Sequence, residues 1–306
     1  MSPHPLSPSP GGRGGTRSGP RLSIGLVALL LTGCAHRDRI IVGSKNFTES
    51  DLLGEIVAQQ IERRTALRVE RRFHLGGTFV CHQAITAGQI DLYVEYTGTA
   101  YTAVLKHAPV ADRDSVYRAV AGEYVQRFGL EWSKPFGFNN TFAITVRRRD
   151  AVQYGLRRIS DLARVAPRWK AGFGYEFLER ADGFRGLADA YGLRFASPPT
   201  AMDLGLTYRA LAQGKVDVIA GNSTDGQIEA LDLVVLEDDR HYFPPYEAAA
   251  VIRQTTVKAH PEVAASLAAL AGRISDAEMR RLNALADVEH RDIATIARDW
   301  LGANFP

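Results

Sequence analysis

From Arg39 onward, short apolar runs alternate with segments whose apolar positions recur every three or four residues, the pattern of an α/β protein. Arg39–Ser44 predicts the first buried strand. A helix is expected from a Thr48-x-x-Asp51 N-cap to about Arg64, because Leu52, Leu53, Ile56, Val57 and Ile61 fall on one stripe. Leu67–Phe73 alternates as a second strand, and Gly76-Gly77-Thr78 breaks it into a helix around Val80–Ala87. Asp91–Tyr96 reads as a third strand and Asp112–Phe128 as an amphipathic helix. Two strand-like segments, Asn140–Arg147 and Glu247–Arg253, lie far apart in sequence with another α/β set between them. The tail predicts helices near His260–Gly272, Ser275–Val288 (opened by a Ser275-x-x-Glu278 capping box) and Arg291–Leu301.

One pattern occurs twice. Ala87-Gly88-Gln89-Ile90-Asp91-Leu92 is matched by Gln213-Gly214-Lys215-Val216-Asp217-Val218. In each, a helix ends on Gly, a short strand follows, and small polar residues come after it: Tyr96-Thr97-Gly98-Thr99 in one half, Asn222-Ser223-Thr224-Asp225 in the other. Ligands of open α/β sheets bind outside the carboxyl ends of the strands. Two such ends in two halves of one chain predict two lobes facing each other across a cleft.

The residues before Arg39 do not belong to that pattern. Residues 1–20 are rich in Pro, Gly and Ser with scattered Arg, a composition that builds no core. Leu22–Leu31 is an apolar run of ten residues, too short for a membrane span and the right length for the h-region of a signal peptide. Leu31-Thr32-Gly33-Cys34 follows and resembles the lipobox of bacterial lipoproteins. We therefore expect residues 1–33 to be a lipoprotein-type signal peptide, Cys34 to be the lipidated residue, and 34–38 a short linker. The stretch before Arg21 is long for a charged n-region, which points to an initiation site downstream of Met1.

Charge and cysteine content narrow the function. Arg13, Arg17 and Arg21 are the basic residues that precede Cys34, so the remainder carries 34 basic and 34 acidic side chains. A body so balanced lacks the basic excess of a nucleic-acid binder. With Cys34 set apart, Cys81 is alone and no intramolecular disulfide is possible. Catalytic motifs are missing: Gly43-Ser44-Lys45 lacks the upstream glycine of a P-loop, and there is no Gly-x-Ser-x-Gly elbow. Cys81 and His82 are sequence neighbours, unlike a catalytic Cys/His pair, and the eight histidines show no metal-ligand spacing. Glu237-Asp238-Asp239 reads as a solvated turn. Neither an enzyme nor a metal or cofactor site is expected.

Seven segments together carry a family resemblance. They are Gly43-Ser44-Lys45-Asn46-Phe47-Thr48-Glu49, Leu75-Gly76-Gly77-Thr78, Cys81-His82, Asp91 to Thr99, Gly137-Phe138-Asn139-Asn140-Thr141, Ser223-Thr224-Asp225-Gly226 and Tyr242-Phe243-Pro244-Pro245-Tyr246-Glu247. In this order and spacing the chain resembles, from about Ile40 to Pro306, the glycine betaine/carnitine/choline-binding proteins of osmoprotectant ABC importers. The resemblance implies a type II periplasmic-binding-protein fold: two α/β lobes joined by two crossing strands with the ligand between them. Residues 39–143 and 247–306 would form one lobe and 144–246 the other, with Asn140–Arg147 and Glu247–Arg253 as the crossings.

A quaternary ammonium has no N–H to donate and spreads its charge over methyl groups, so aromatic faces hold it best. By the resemblance, Tyr96 and Tyr246 match cage positions, Phe142 stands where many members have Tyr, and Asn222 stands where some carry another aromatic. Lys45 and Thr99 match donors to a betaine carboxylate, Arg180 is a further anion ligand from the second lobe, and Thr224 belongs to the second loop. The implied ligands are glycine betaine, choline, carnitine or a bulkier betaine such as ergothioneine. The implied partners are the permease subunits of an ABC importer and, through the lipid anchor, the extracytoplasmic membrane face. A sensory protein of the same fold is the alternative.

Overall fold

The computed structural model describes residues 39–305. Two five-stranded mixed sheets dominate it. The first has the order β2-β1-β3-β10-β4, built from β1 (Arg39–Gly43), β2 (Arg68–Arg72), β3 (Leu92–Tyr96), β4 (Leu130–Trp132) and β10 (Ala248–Arg253). The second has the order β7-β6-β8-β5-β9, from β5 (Phe142–Arg147), β6 (Ala171–Gly174), β7 (Thr200–Met202), β8 (Val218–Asn222) and β9 (Leu233–Val235). In each sheet three strands run parallel, and the fourth and fifth positions hold a strand that entered from the other lobe and a short edge strand. The two sheets therefore have one topology.

The repeated sequence pattern has a physical basis in this symmetry. Helices Thr78–Thr86 and Leu204–Ala212 each end just before a left-handed glycine, Gly88 at φ 72° and Gly214 at φ 71°. Asp91 then donates its amide to the Ile41 carbonyl at 2.8 Å and accepts the Ile41 amide on its carboxylate at 2.8 Å. Asp217 does the same with Lys170, at 2.7 and 3.0 Å. An arginine at the far end of the crossing strand completes each unit: Arg253 lies 3.6 Å from Asp91, and Arg147 donates to Asp217 at 2.7 Å. The glycine is needed to turn the chain, and the aspartate locks the third strand beside the first.

The crossings are shorter than the sequence implied. β5 lies wholly in the second sheet, where Phe142 and Ala143 pair with Asn222 and Gly221, and β10 lies wholly in the first. The chain passes between lobes at the isolated bridge of Asn139 with Glu247, where Asn140 donates to the Tyr246 carbonyl at 3.0 Å. The second sheet thus begins at Phe142, two residues before the expected boundary.

Two helix starts were read from the same signal, with different outcomes. Helix Asp276–Asp287 is capped by Ser275, which accepts the Glu278 amide, although the Glu278 carboxylate turns to Arg281 instead of back to the cap. Helix Thr48–Arg64 has Phe47 at its N-cap and no side-chain cap. Thr48 does not cap it because its hydroxyl donates to Asp287 at 2.6 Å, a contact with the C-terminal helices that no local pattern reveals. Cys81 is buried against the Ser44 carbonyl and its thiol is pushed up to about 12 by that burial. Among the described residues no helix is long and apolar enough to cross a membrane. Cys34 and the leader lie outside the described residues.

Gly137 and Gly122 give a matched test of this packing. Gly137 sits at φ 121°, and a Cβ there would lie 2.9 Å from the Gly272 backbone and the Ile274 carbonyl. Gly137→Ala is expected to cost at least the roughly 1–3 kcal/mol of a strained backbone, lowering Tm by several degrees. Gly122, inside helix Arg113–Phe128, faces open space. Gly122→Ala is expected to be neutral or to stabilise by up to about 1 kcal/mol. Thermal unfolding of both variants checks the pair.

Candidate ligand-binding cleft

The cleft forms where the carboxyl ends of β1 and β3 meet those of β6 and β8. It encloses about 170 Å³ and is bordered by Lys45, Tyr96 and Thr99 from the first lobe and by Phe142, Arg180 and Asn222 from the second, with Tyr246 from the crossing. That volume is many times the ~10–15 Å³ that admits one water, and so suits a small solute. Seven of the eight residues read from the sequence are brought together here. Thr224 is not among the lining residues: it is buried behind the wall, donating its hydroxyl to Glu49 at 2.5 Å.

The aromatic residues are fixed by buried carboxylates. Tyr96 donates its hydroxyl to Glu49 at 2.6 Å, and Tyr246 donates to Asp182 at 2.6 Å. Burial raises the pKa of both phenols, so their hydrogens stay in place as donors. Phe142 lies 5.6 Å from Tyr246 edge to face, and Phe47 stacks 6.3 Å from Tyr96. With its hydroxyl bound to a carboxylate, each tyrosine ring cannot swing away. Both rings border the cleft, and their electron-rich faces suit a cation.

The two cations of the cleft are already paired. Lys45 is buried, donates to Glu95 at 2.5 Å and to Thr78 Oγ1 at 3.2 Å, and lies 4.8 Å from the Tyr96 ring centre. Arg180 donates to both oxygens of Asp182, at 2.9 and 2.5 Å, and to Thr99 Oγ1 at 3.1 Å. Its guanidinium sits 5.2 Å from the Phe142 ring centre. Burial works against this charge, yet the bonds to Asp182 outweigh it and hold the Arg180 pKa above its ordinary value. Asp182 is held low by the same pair, against the opposing effect of its own burial. Neither cation is a bare charge; each retains only its remaining N–H groups for a bound anion.

Several contributors were not visible in the sequence. Glu49 accepts from Tyr96, Asn140, Thr224 and Asn283, and burial raises its pKa despite these four donors. A Glu in the first turn of a helix reads as a solvated acid, so nothing local marked it. Glu176 reaches from the second lobe to the Thr78 amide and hydroxyl. It follows Gly174 at the end of β6 as Lys45 follows Gly43 at the end of β1. Extending the repeat to the first strand of each lobe would have found it. Thr102 adds a further bond between lobes, to Asp182 at 2.7 Å. With Glu176 on Thr78 and Arg180 on Thr99, the lobes are closed over the cleft.

Two α/β lobes of one topology, closed over an aromatic-walled pocket, define a type II periplasmic-binding-protein fold. Comparison with known proteins agrees: the family model described as the substrate binding domain of ABC-type glycine betaine transport systems matches residues 38–303. The chain belongs to this family of substrate-binding proteins. It is 35% identical over 274 residues to a carnitine transport binding protein of Listeria monocytogenes, covering 89% of each chain. It is also 35% identical over 263 residues to an ergothioneine transport permease/ergothioneine binding protein of Helicobacter pylori strain G27, covering 86% of this chain and 47% of that one. A solved glycine betaine/carnitine/choline ABC transporter structure superposes with a TM-score of 0.71 at 33% identity, covering 86% of this chain and 98% of the other.

Asp225 lies behind Asn222 and accepts its backbone amide. Burial pushes its carboxyl up to about 7, with Glu49 and Asp287 adding to the rise, although Tyr208 and the Asn222 amide donate to it. The folded protein thus holds this proton more tightly than the unfolded chain does. The associated stability is full below pH 4 and is lost as pH rises through 7. Asp225→Asn is expected to raise Tm relative to wild type more at pH 8 than at pH 5. A difference independent of pH, measured by thermal unfolding, would contradict the assignment.

Proposed function

We propose that the protein captures a quaternary-ammonium solute, of the glycine betaine, choline or carnitine kind, and delivers it to the permease subunits of an ABC importer. The observation that carries the ligand reading is the set of faces formed by Tyr96, Phe142 and Tyr246 around one cleft, with both tyrosine hydroxyls engaged by buried carboxylates. Methyl groups of a trimethylammonium fit such faces without leaving any donor unsatisfied. Thr99, Arg180 and Lys45 would serve a carboxylate at the other end of the ligand. Family membership supports the transport role, in which the protein works outside the cytoplasm. The ten-residue apolar run and Leu31-Thr32-Gly33-Cys34 support attachment to the membrane through a lipid on Cys34.

A second reading has its own support. Asn222 is a small polar residue on the cleft wall, at a position where the resemblance implies an aromatic in some members, and one relative is named for ergothioneine, so a bulkier betaine is the alternative ligand.

Removing one face should cost about 2 kcal/mol, roughly thirtyfold in Kd, for every trimethylammonium ligand. Calorimetry on Tyr96→Ala and Tyr246→Ala with choline, carnitine and glycine betaine checks this; wild-type affinity in both variants would refute the cage. Lys45→Ala alone would strand Glu95 in the interior. The pair Lys45→Met with Glu95→Gln removes that complication, and is expected to weaken carnitine more than choline. For the anchor, Cys34→Ala is expected to shift the protein from the membrane fraction to soluble or uncleaved material. Unchanged membrane lipidation in that variant would exclude Cys34.

A further inference from the structure

We infer that Glu176 and Gly77 form a latch between the lobes: Glu176, from the second lobe, caps the N-terminus of a first-lobe helix, and Gly77 is the notch that admits it. The inference rests on the cleft being the ligand site and on no particular ligand class.

The two lobes contain equivalent helices, Thr78–Thr86 and Leu204–Ala212, that begin differently. Leu204–Ala212 carries its own cap, Asp203, which accepts the Gly205 amide at 2.9 Å. The same position before Thr78–Thr86 is Gly77, which has no side chain to cap with. The Thr78 amide is the first of that helix, so it has no partner within it. It donates instead to Glu176 Oε1, and the Thr78 hydroxyl donates to Glu176 Oε2 at 3.3 Å. A carboxylate here also meets the positive pole of the helix. Thr78 Oγ1 accepts from Lys45 at 3.2 Å, which joins the cap to a residue of the cleft wall.

Gly77 is not required by its own backbone. It lies at φ −74° and ψ −174°, a region open to any residue. The three heavy atoms nearest to an added Cβ all belong to Glu176. The first obstacle to a side chain at 77 is therefore the opposite lobe. Both lobes wall the cleft, so a solute enters when they part. Parting them takes Glu176 from Thr78 and leaves the amide to water; closing restores a charge-assisted hydrogen bond. The latch thus adds to retention of a ligand without touching it.

A double-mutant cycle tests this on the mature protein, by calorimetry with choline and carnitine as probes. Glu176→Ala removes the cap, and Gly77→Ala displaces the carboxylate from it. Each is expected to weaken Kd about fivefold or more, the size of a lost cap, chiefly through faster dissociation. The double variant should bind no more than about twofold more weakly than either single one, because both remove the same contact. Losses that multiply to about 25-fold, or an unchanged Kd in Gly77→Ala, overturn the inference and leave Glu176 as a direct ligand contact. Hydrogen exchange at the Thr78 amide gives a second reading that needs no ligand. It is expected to be slowed in wild type and several-fold faster in Glu176→Ala; equal rates overturn the latch. If neither probe binds, the proposed ligand class fails and the amide alone decides.

Discussion

The cleft depends on carboxylates withdrawn from water. Glu49 accepts hydrogen bonds from Tyr96 at the end of β3, Asn140 in the crossing, Thr224 in the loop after β8, and Asn283 in a C-terminal helix. These four donors come from parts of the chain up to 234 residues away from it. A buried carboxylate is costly unless donors surround it, so each donor is held where Glu49 needs it. Asp182 repeats the arrangement on the other side, gathering Arg180, Tyr246 and Thr102. Each of the two tyrosines is therefore positioned at the edge of the cleft by a hydrogen bond to a buried carboxylate.

The shared topology of the lobes explains why the site forms between them. Each lobe presents the ends of its first and third strands, and the crossing at Asn139 and Glu247 turns those ends toward each other. Lys45 and Glu176 occupy equivalent places after the first strand, and both reach Thr78. Opposite charges at matched positions thus meet at one helix start, where an amide and a hydroxyl accommodate them. Glu176, Arg180 and Asp182 all touch the opposite lobe or the crossing, so contacts between the lobes complete the pocket.

How much of this the sequence made legible follows from the range of each interaction. The Gly88-to-Leu92 and Gly214-to-Val218 repeat was readable because glycine geometry and strand pairing act over a few residues. Strand and helix periodicity placed most elements within a residue or two for the same reason, while the tail helices ended at Ala268 and Asn304 where Gly272 and Leu301 were expected. The cage positions came from resemblance and Arg180 was a further candidate from the second lobe, and all of them border one cleft. Thr224 was misplaced because its hydroxyl answers to Glu49, 175 residues away. Glu49, Glu95 and Asp182 were missed because composition cannot tell a buried acid from a solvated one. The burial of Lys45 and Arg180 in ion pairs was hidden for the same reason.

The central claim is that aromatic faces hold the charge of a trimethylammonium, and not merely its apolar bulk. A trimethylammonium and its tert-butyl isostere have nearly the same shape and differ in that charge. Calorimetric comparison of choline with 3,3-dimethylbutan-1-ol isolates it in one step. With even one desolvated face contributing about 2 kcal/mol, choline should bind at least roughly thirtyfold more tightly. Equal binding of the neutral isostere would mean that the pocket recognises shape alone, and would contradict the account.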